Sequence, residues 1–171
     1  MHEWLKSSKI AKVVTDHWVK DLYATMERFS NDYGLGPWKI TELKAPLVRE
    51  VEFRGAPAEI DWLAAMTEVG PLAIELLQVR GGSEAVVKWA DGLEDGYWHF
   101  VSYHETAEEA MAARKSFEQV GAPVLLGGLI AGSRFYMFDT EPLFGRMFEI
   151  AGGDLSAIQW LTPEEAMRAR P

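Results

Sequence analysis

The chain has 171 residues and a mass of 19.2 kDa, which leaves room for one compact body or two small fused modules. Hydrophobic residues make up 48% and aromatic residues 12%, with seven tryptophans, so the side chains for a core are present and the disordered class is excluded. A net charge of −9, negative in both halves, argues against nucleic acid and anionic membrane as partners, and the absence of cysteine removes disulfide scaffolds, Cys-ligated zinc and thiol nucleophiles.

The N-terminus, MHEWLKSSKIAKVV, alternates charge with apolar residues and carries no cleavage pattern, so it does not read as a signal peptide. No apolar run approaches the roughly 20 residues of a membrane helix. A soluble, cytoplasmic protein acting on a small molecule is the expectation.

Residues 1–8 form an extension, and residues 9–15 (KIAKVVT) predict a strand. Asp16 follows as a helix-capping type, and Trp18, Leu22, Met26 and Phe29 make an amphipathic stripe over residues 18–32, stopped by Gly34 and Pro37. Strands are expected over residues 38–43, 48–54, 60–67 and 72–79. These complete a first module, 9–80.

Residues 81–97 read as a Gly- and acid-rich linker with a short helix from Ser83 to Ala90. A second module, 98–151, repeats the order: WHFVSYH as a strand, residues 106–119 as a helix opened by Thr106, and three strand-like segments. Gly127, Gly128, Gly132 and Gly145 are assigned to turns between them, or to a pocket rim. Residues 152–171 are taken as an appendage ending in a short surface helix. The fold class is therefore α+β, two strand-helix-strands modules that bury their apolar sheet faces against each other.

Each module closes on one acid inside an apolar strand, Glu75 in AIELL and Glu149 in MFEIA, and His99 lies in the second opening strand. A buried carboxylate is expensive unless paired, hydrogen-bonded or bound to a metal. Two acids and a His from matching places in a repeat make an open nitrogen and oxygen site for a divalent metal, or an acid–base set without one. The competing reading puts each Glu on the solvent face of an edge strand and makes the His a hydrogen-bonded structural residue. Trp38, Trp62, Tyr103, Phe135 and Tyr136 are candidates for an apolar substrate wall, with core packing the alternative.

KIAKVVTD before the first helix, GLGPW after it, then IELLQV, GYWHFVSY and SRFYMFDTEPLFGRMFEI resemble, in that order, the vicinal oxygen chelate superfamily. That group includes glyoxalases, bleomycin-resistance proteins, extradiol dioxygenases and methylmalonyl-CoA epimerases, and the glyoxalase and epimerase branch is the nearest in look. The resemblance spans residues 9–151 and implies two βαβββ modules forming a curved sheet around a cleft, a homodimer, and a divalent metal (Zn, Mn, Co, Ni, Mg or Fe) held by the first and last strands of each module.

Carried over by position, the implied ligands are Glu75, His99 and Glu149, and the fourth place falls on Lys9. A protonated Lys offers no lone pair, so three readings stay open: a metal on three protein ligands, a metal-free cluster of Lys9 with Glu75 or Glu149, or Lys9 as an acid–base group with a lowered pKa. The resemblance implies a lyase or isomerase that abstracts a proton next to a carbonyl, with Glu149 first as base or ligand, Glu75 its partner and Lys9 a further catalytic candidate. The alternatives are a non-catalytic protein sequestering an apolar or aromatic ligand, and a ring-cleaving dioxygenase with an altered iron site.

Overall fold

The computed structural model describes residues 10–169. Lys9 lies outside them. The strands are β1 (Ile10–Trp18), β2 (Lys39–Leu43), β3 (Val48–Phe53), β4 (Ala56–Pro57), β5 (Ile60–Val69), β6 (Leu72–Gly82), β7 (Tyr97–His104), β8 (Val124–Ile130), β9 (Gly132–Phe138) and β10 (Phe148–Asp154). The helices are α1 (Leu22–Tyr33), α2 (Glu84–Asp91), α3 (Ala107–Gln119), α4 (Glu141–Phe144) and α5 (Pro163–Arg168). All ten strands belong to one curled half-barrel sheet in the order β2-β5-β6-β1-β7-β10-β9-β8-β3-β4.

The expected repeat is visible in that order. β1, α1, β2, β5 and β6 give a four-stranded unit, β7, α3, β8, β9 and β10 give its counterpart, and the units meet where β1 pairs antiparallel with β7. The cleft is thus formed within one chain. The departure is the hairpin β3–β4, which leaves the first unit and extends the second by pairing with β8. Only residues 44–47 join β2, at one end of the sheet, to β3 near the other, and Ala131 donates its N–H to Leu47 O across that junction. The sheet ends are therefore drawn toward each other, with Leu43 and Ile130 facing the same interior space.

Burial alternates as a half-buried sheet requires. Val14, Asp16 and Trp18 of β1 point to the concave side while Thr15 and His17 point outward. The first strand continues through Asp16 to Trp18, three residues beyond the sequence expectation, and Asp21 caps the helix instead, accepting from Ala24 N at 3.0 Å. Trp18 fits a helical stripe by spacing but is claimed by the sheet, because a ring on that face reaches Trp62 at 4.8 Å and Trp89 of α2 at 5.3 Å. This tryptophan cluster, covered by α2, plugs one end of the interior.

Convex surfaces are covered by helices. α1 buries Leu22 and Met26 with Trp38 and Ile40, and α3 buries Ala110, Ala113 and Phe117 against Tyr136, Phe138 and Ile150. The α3 start is held by a capping box between Thr106 and Glu109. Gly127 and Gly128 lie inside β8 rather than in a turn, because a Cβ at Gly128 would stand 2.9 Å from Phe135 Cε1 and one at Gly127 would stand 3.0 Å from Tyr136 Cδ1.

The segment after β10 is more than an appendage. Residues 155–161 run from β10 across to β2, where Leu161 and Ile40 exchange two backbone hydrogen bonds of 2.8 Å, and Ala166 of α5 then joins the core beneath α1. Among the described residues no helix is long and apolar enough to cross a membrane.

Candidate metal centre and its cavity

Register places the polar residues of the concave face side by side. Lys39, Met66, Glu75, Asp16 and His99 fall in one cross-strand row over β2, β5, β6, β1 and β7, each directly opposite the next. Directly opposed residues share a face. Glu149 enters from β10, opposite Val101.

Asp16, His99 and Glu149 converge, each offering one ligand atom, with those atoms all within 4.8 Å of one another. His99 Nε2 stands 3.2 Å from Glu149 Oε2 and 3.5 Å from Asp16 Oδ2. All three are buried, His99 completely. The imidazole is fixed on its other side by Trp18, stacked at 6.5 Å. Asp16 Oδ1 and His99 Nδ1 have no hydrogen-bond partner among the described residues, an expensive condition for buried polar atoms.

Electrostatics point the same way. Burial, then the charges of Glu75 and Glu149, push the Asp16 carboxyl well above its usual range. Burial and the Glu149 charge raise Glu75 to about 8, with a hydrogen bond to Asp16 opposing part of the rise. Among the described residues no Lys or Arg lines this cavity to compensate three carboxyl groups. Three carboxyl groups around one imidazole nitrogen, an oxygen and nitrogen donor set, fit a divalent cation of the hard to intermediate kind. Asp16, His99 and Glu149 would hold it, with Glu75 adjacent.

Glu75 and Glu149 line one cavity and His99 lies behind it against Glu149, but the place opposite His99 on the first strand belongs to Asp16, seven positions beyond Lys9. Asp16 has the residue type and position of a helix cap in sequence, whereas the structure gives that role to Asp21 and places Asp16 within β1. The signal that could have found it is the alternation Val14, Asp16, Trp18, which makes it the one acid on the apolar face of that strand.

The cavity measures ≈ 80 Å³ and is walled by Tyr103 and Phe135 from the proposed substrate wall, together with Met66, Leu155, Ile158 and Trp160. The other three aromatics do not reach it. Trp62 belongs to the plug, Trp38 lies under α1 with its Nε1 donating to Ser30 Oγ at 3.1 Å, and Tyr136 is turned outward beneath α3 with Arg114 over its ring at 4.8 Å. Phe135 and Tyr136 are consecutive, so a strand cannot present both to one side. Tyr103 donates its hydroxyl to Gly153 O and stands 3.4 Å from Ser133 Oγ, and burial raises its pKa.

No family model matches the chain, and no curated protein matches it. Solved structures do. A methylmalonyl-CoA epimerase in complex with methylmalonyl-CoA and NH4+ aligns at a TM-score of 0.52 and 19% identity, over 88% of this chain and 99% of that one. The hypothetical protein BH1468 from Bacillus halodurans aligns at 0.55 and 14%, over 88% and 98%. A mutant 4-hydroxymandelate synthase from Streptomyces coelicolor aligns at 0.54 and 14%, over 95% of this chain and 43% of its own. These likenesses share one architecture, the vicinal oxygen chelate fold.

Proposed function

We propose that this chain, built on the vicinal oxygen chelate fold, is a divalent-metal-dependent lyase or isomerase that moves a proton on a carbon next to a carbonyl. The observation that carries the reading is the convergence of Asp16, His99 and Glu149 beside a small cavity that Asp16, Glu149 and Glu75 line. A bound divalent cation would supply positive charge to substrate oxygens that become anionic as the proton leaves.

The chain's own residues divide the remaining work. Asp16, His99 and Glu149 would hold the cation, with Trp18 stacked beside the imidazole. Glu75, opposite Asp16 on the cavity wall and outside the ligand cluster, takes the proton and returns it. Tyr103 and Ser133 offer hydroxyls at the cavity wall to orient a substrate oxygen. Met66, Phe135, Leu155 and Trp160 exclude water from the reacting carbon.

Sequestration of an apolar ligand is less well supported, since the inner cavity is lined by three carboxyl groups, Asp16, Glu75 and Glu149, which an apolar ligand would leave without partners. Ring cleavage on iron is also disfavoured, because the cluster has one His where the facial triad uses two.

The test uses protein purified without a metal-affinity tag. Wild type is expected to take up one equivalent of Mn2+ and to exchange the α-hydrogen of at least one member of a panel of small α-hydroxycarbonyl and 1,3-dicarbonyl compounds for solvent deuterium. Glu75→Gln should keep the Mn2+ and lose the exchange. Failure of wild type to bind any divalent ion, or exchange that survives Glu75→Gln, would sink the proposal.

A further inference from the structure

The metal-site cavity adjoins a second, larger space. A vestibule of ≈ 450 Å³ is lined by Val14, Met66, Tyr103, Leu155 and Trp160, which also line the inner cavity, so these side chains stand between the two spaces. Their charges are opposite. Among the described residues the inner cavity holds Asp16, Glu75 and Glu149, whereas the charged side chains around the vestibule are Lys12, Lys39 and a single acid, Glu68. A cationic excess at this mouth runs against the net charge of −9 of the chain.

Position makes the excess relevant to the site. Lys39 lies in the same cross-strand row as Glu75, Asp16 and His99, two strands from Glu75, hence about 10 Å away along the sheet. Lys12 lies on the concave parity of β1 with Val14 and Asp16. Lys12 is already paired with Glu68, whereas Lys39 makes no ion pair among the described residues.

We propose that the substrate is bipartite, with a small uncharged carbonyl head that enters the inner cavity and an anionic group, carboxylate or phosphate, that stays in the vestibule against Lys39, with Lys12 in support. The inference rests on the function proposed above and names its substrate class. An anionic tail cannot go inward, where three carboxylates already crowd a low-dielectric space. It is attracted to Lys39, which shares the charge of Glu68 with Lys12 but makes no close ion pair among the described residues, and the side chains of Tyr103 and Trp160, common to both spaces, border the path of the head inward. Lys39 is then a specificity-determining residue that touches the tail, remote from the reacting carbon.

Three hydroxamates of matched length test this, because the hydroxamate head offers two adjacent oxygens to a metal while the tail can be changed. They are butanohydroxamic acid, N-hydroxysuccinamic acid with a carboxylate tail, and 3-phosphonopropanohydroxamic acid. Mn2+ uptake is first measured by electron paramagnetic resonance; no uptake would remove the metal-enzyme reading itself. With Mn2+ bound, titration calorimetry should show the anionic tails binding about tenfold tighter than the neutral one. That preference should fall to near unity in Lys39→Met, persist in Lys39→Arg, grow in Glu68→Gln and shrink at high salt.

The anionic probe that gains more identifies carboxylate or phosphate as the source. Equal affinities for neutral and anionic tails in wild type, a preference that survives Lys39→Met, or no binding of any hydroxamate to the Mn2+-loaded protein would each overturn the bipartite substrate while leaving the metal site standing.

Discussion

Asp16 and Glu75 are opposed across β1 and β6 and both are moved upward by burial and by neighbouring anions. A carboxyl raised in the folded state binds a proton that the unfolded chain has released, so its contribution to stability is complete below the unfolded value and is lost as pH rises through the folded one. For Glu75 that window runs from 4.5 to about 8. Metal-free protein should therefore melt at progressively lower temperature between about pH 5 and about pH 8, and Mn2+ should restore the loss. Asp16→Asn separates binding from folding because its two effects have opposite sign. It should raise the melting temperature of the metal-free protein at about pH 8, by removing a buried charge, and weaken Mn2+ by ~100-fold or more. A melting temperature independent of pH in chelator-treated protein would refute the charge crowding.

At the scale of elements, the two helices on the convex face are held by different means. α1 presents Leu22 and Met26 to the first unit, whereas α3 approaches β10 closely through small residues. A Cβ at Gly152 would stand 2.6 Å from Thr106 O and 3.1 Å from Ala110 Cβ, a contact with backbone that no rotamer change relieves. Gly152→Ala should cost about 1–3 kcal/mol in denaturant unfolding, with an unchanged slope. Element types followed the periodicity well. The apolar repeat of α1 and the Thr106 to Glu109 signature of α3 were legible because both are local. The exceptions were local ambiguities settled by distant partners: Trp18 suits a helix by spacing but packs on Trp62, and the Gly127–Gly128 pair suits a turn until Phe135 and Tyr136 occupy the space above it.

Over the whole molecule, the interior is closed at one end by tryptophans and α2, and at the other by residues 155–161 crossing from β10 to β2. The crossing is tied to β2 by a single bridge, Ile40 to Leu161, so it is the cheaper closure to open. Backbone amides of Ile158 and Leu161 should exchange with solvent well before those of β7 and β10. Leu161→Pro, which removes one of the two bridging bonds, should speed exchange at Ile158 and leave β7 unaffected; equal protection of strap and strands would contradict this. Sequence alone determined the module order, the apolar faces and the presence of Glu75, His99 and Glu149 on matching strands, because these depend on short-range periodicity and on a repeat read along one chain. Tertiary structure alone decided that Asp16 faces His99, that the hairpin β3–β4 joins the second unit, and that the C-terminal segment walls the cavity. Strand register and the pairing of distant edges depend on which side chains fill a shared interior. Neighbours in sequence carry no record of that choice.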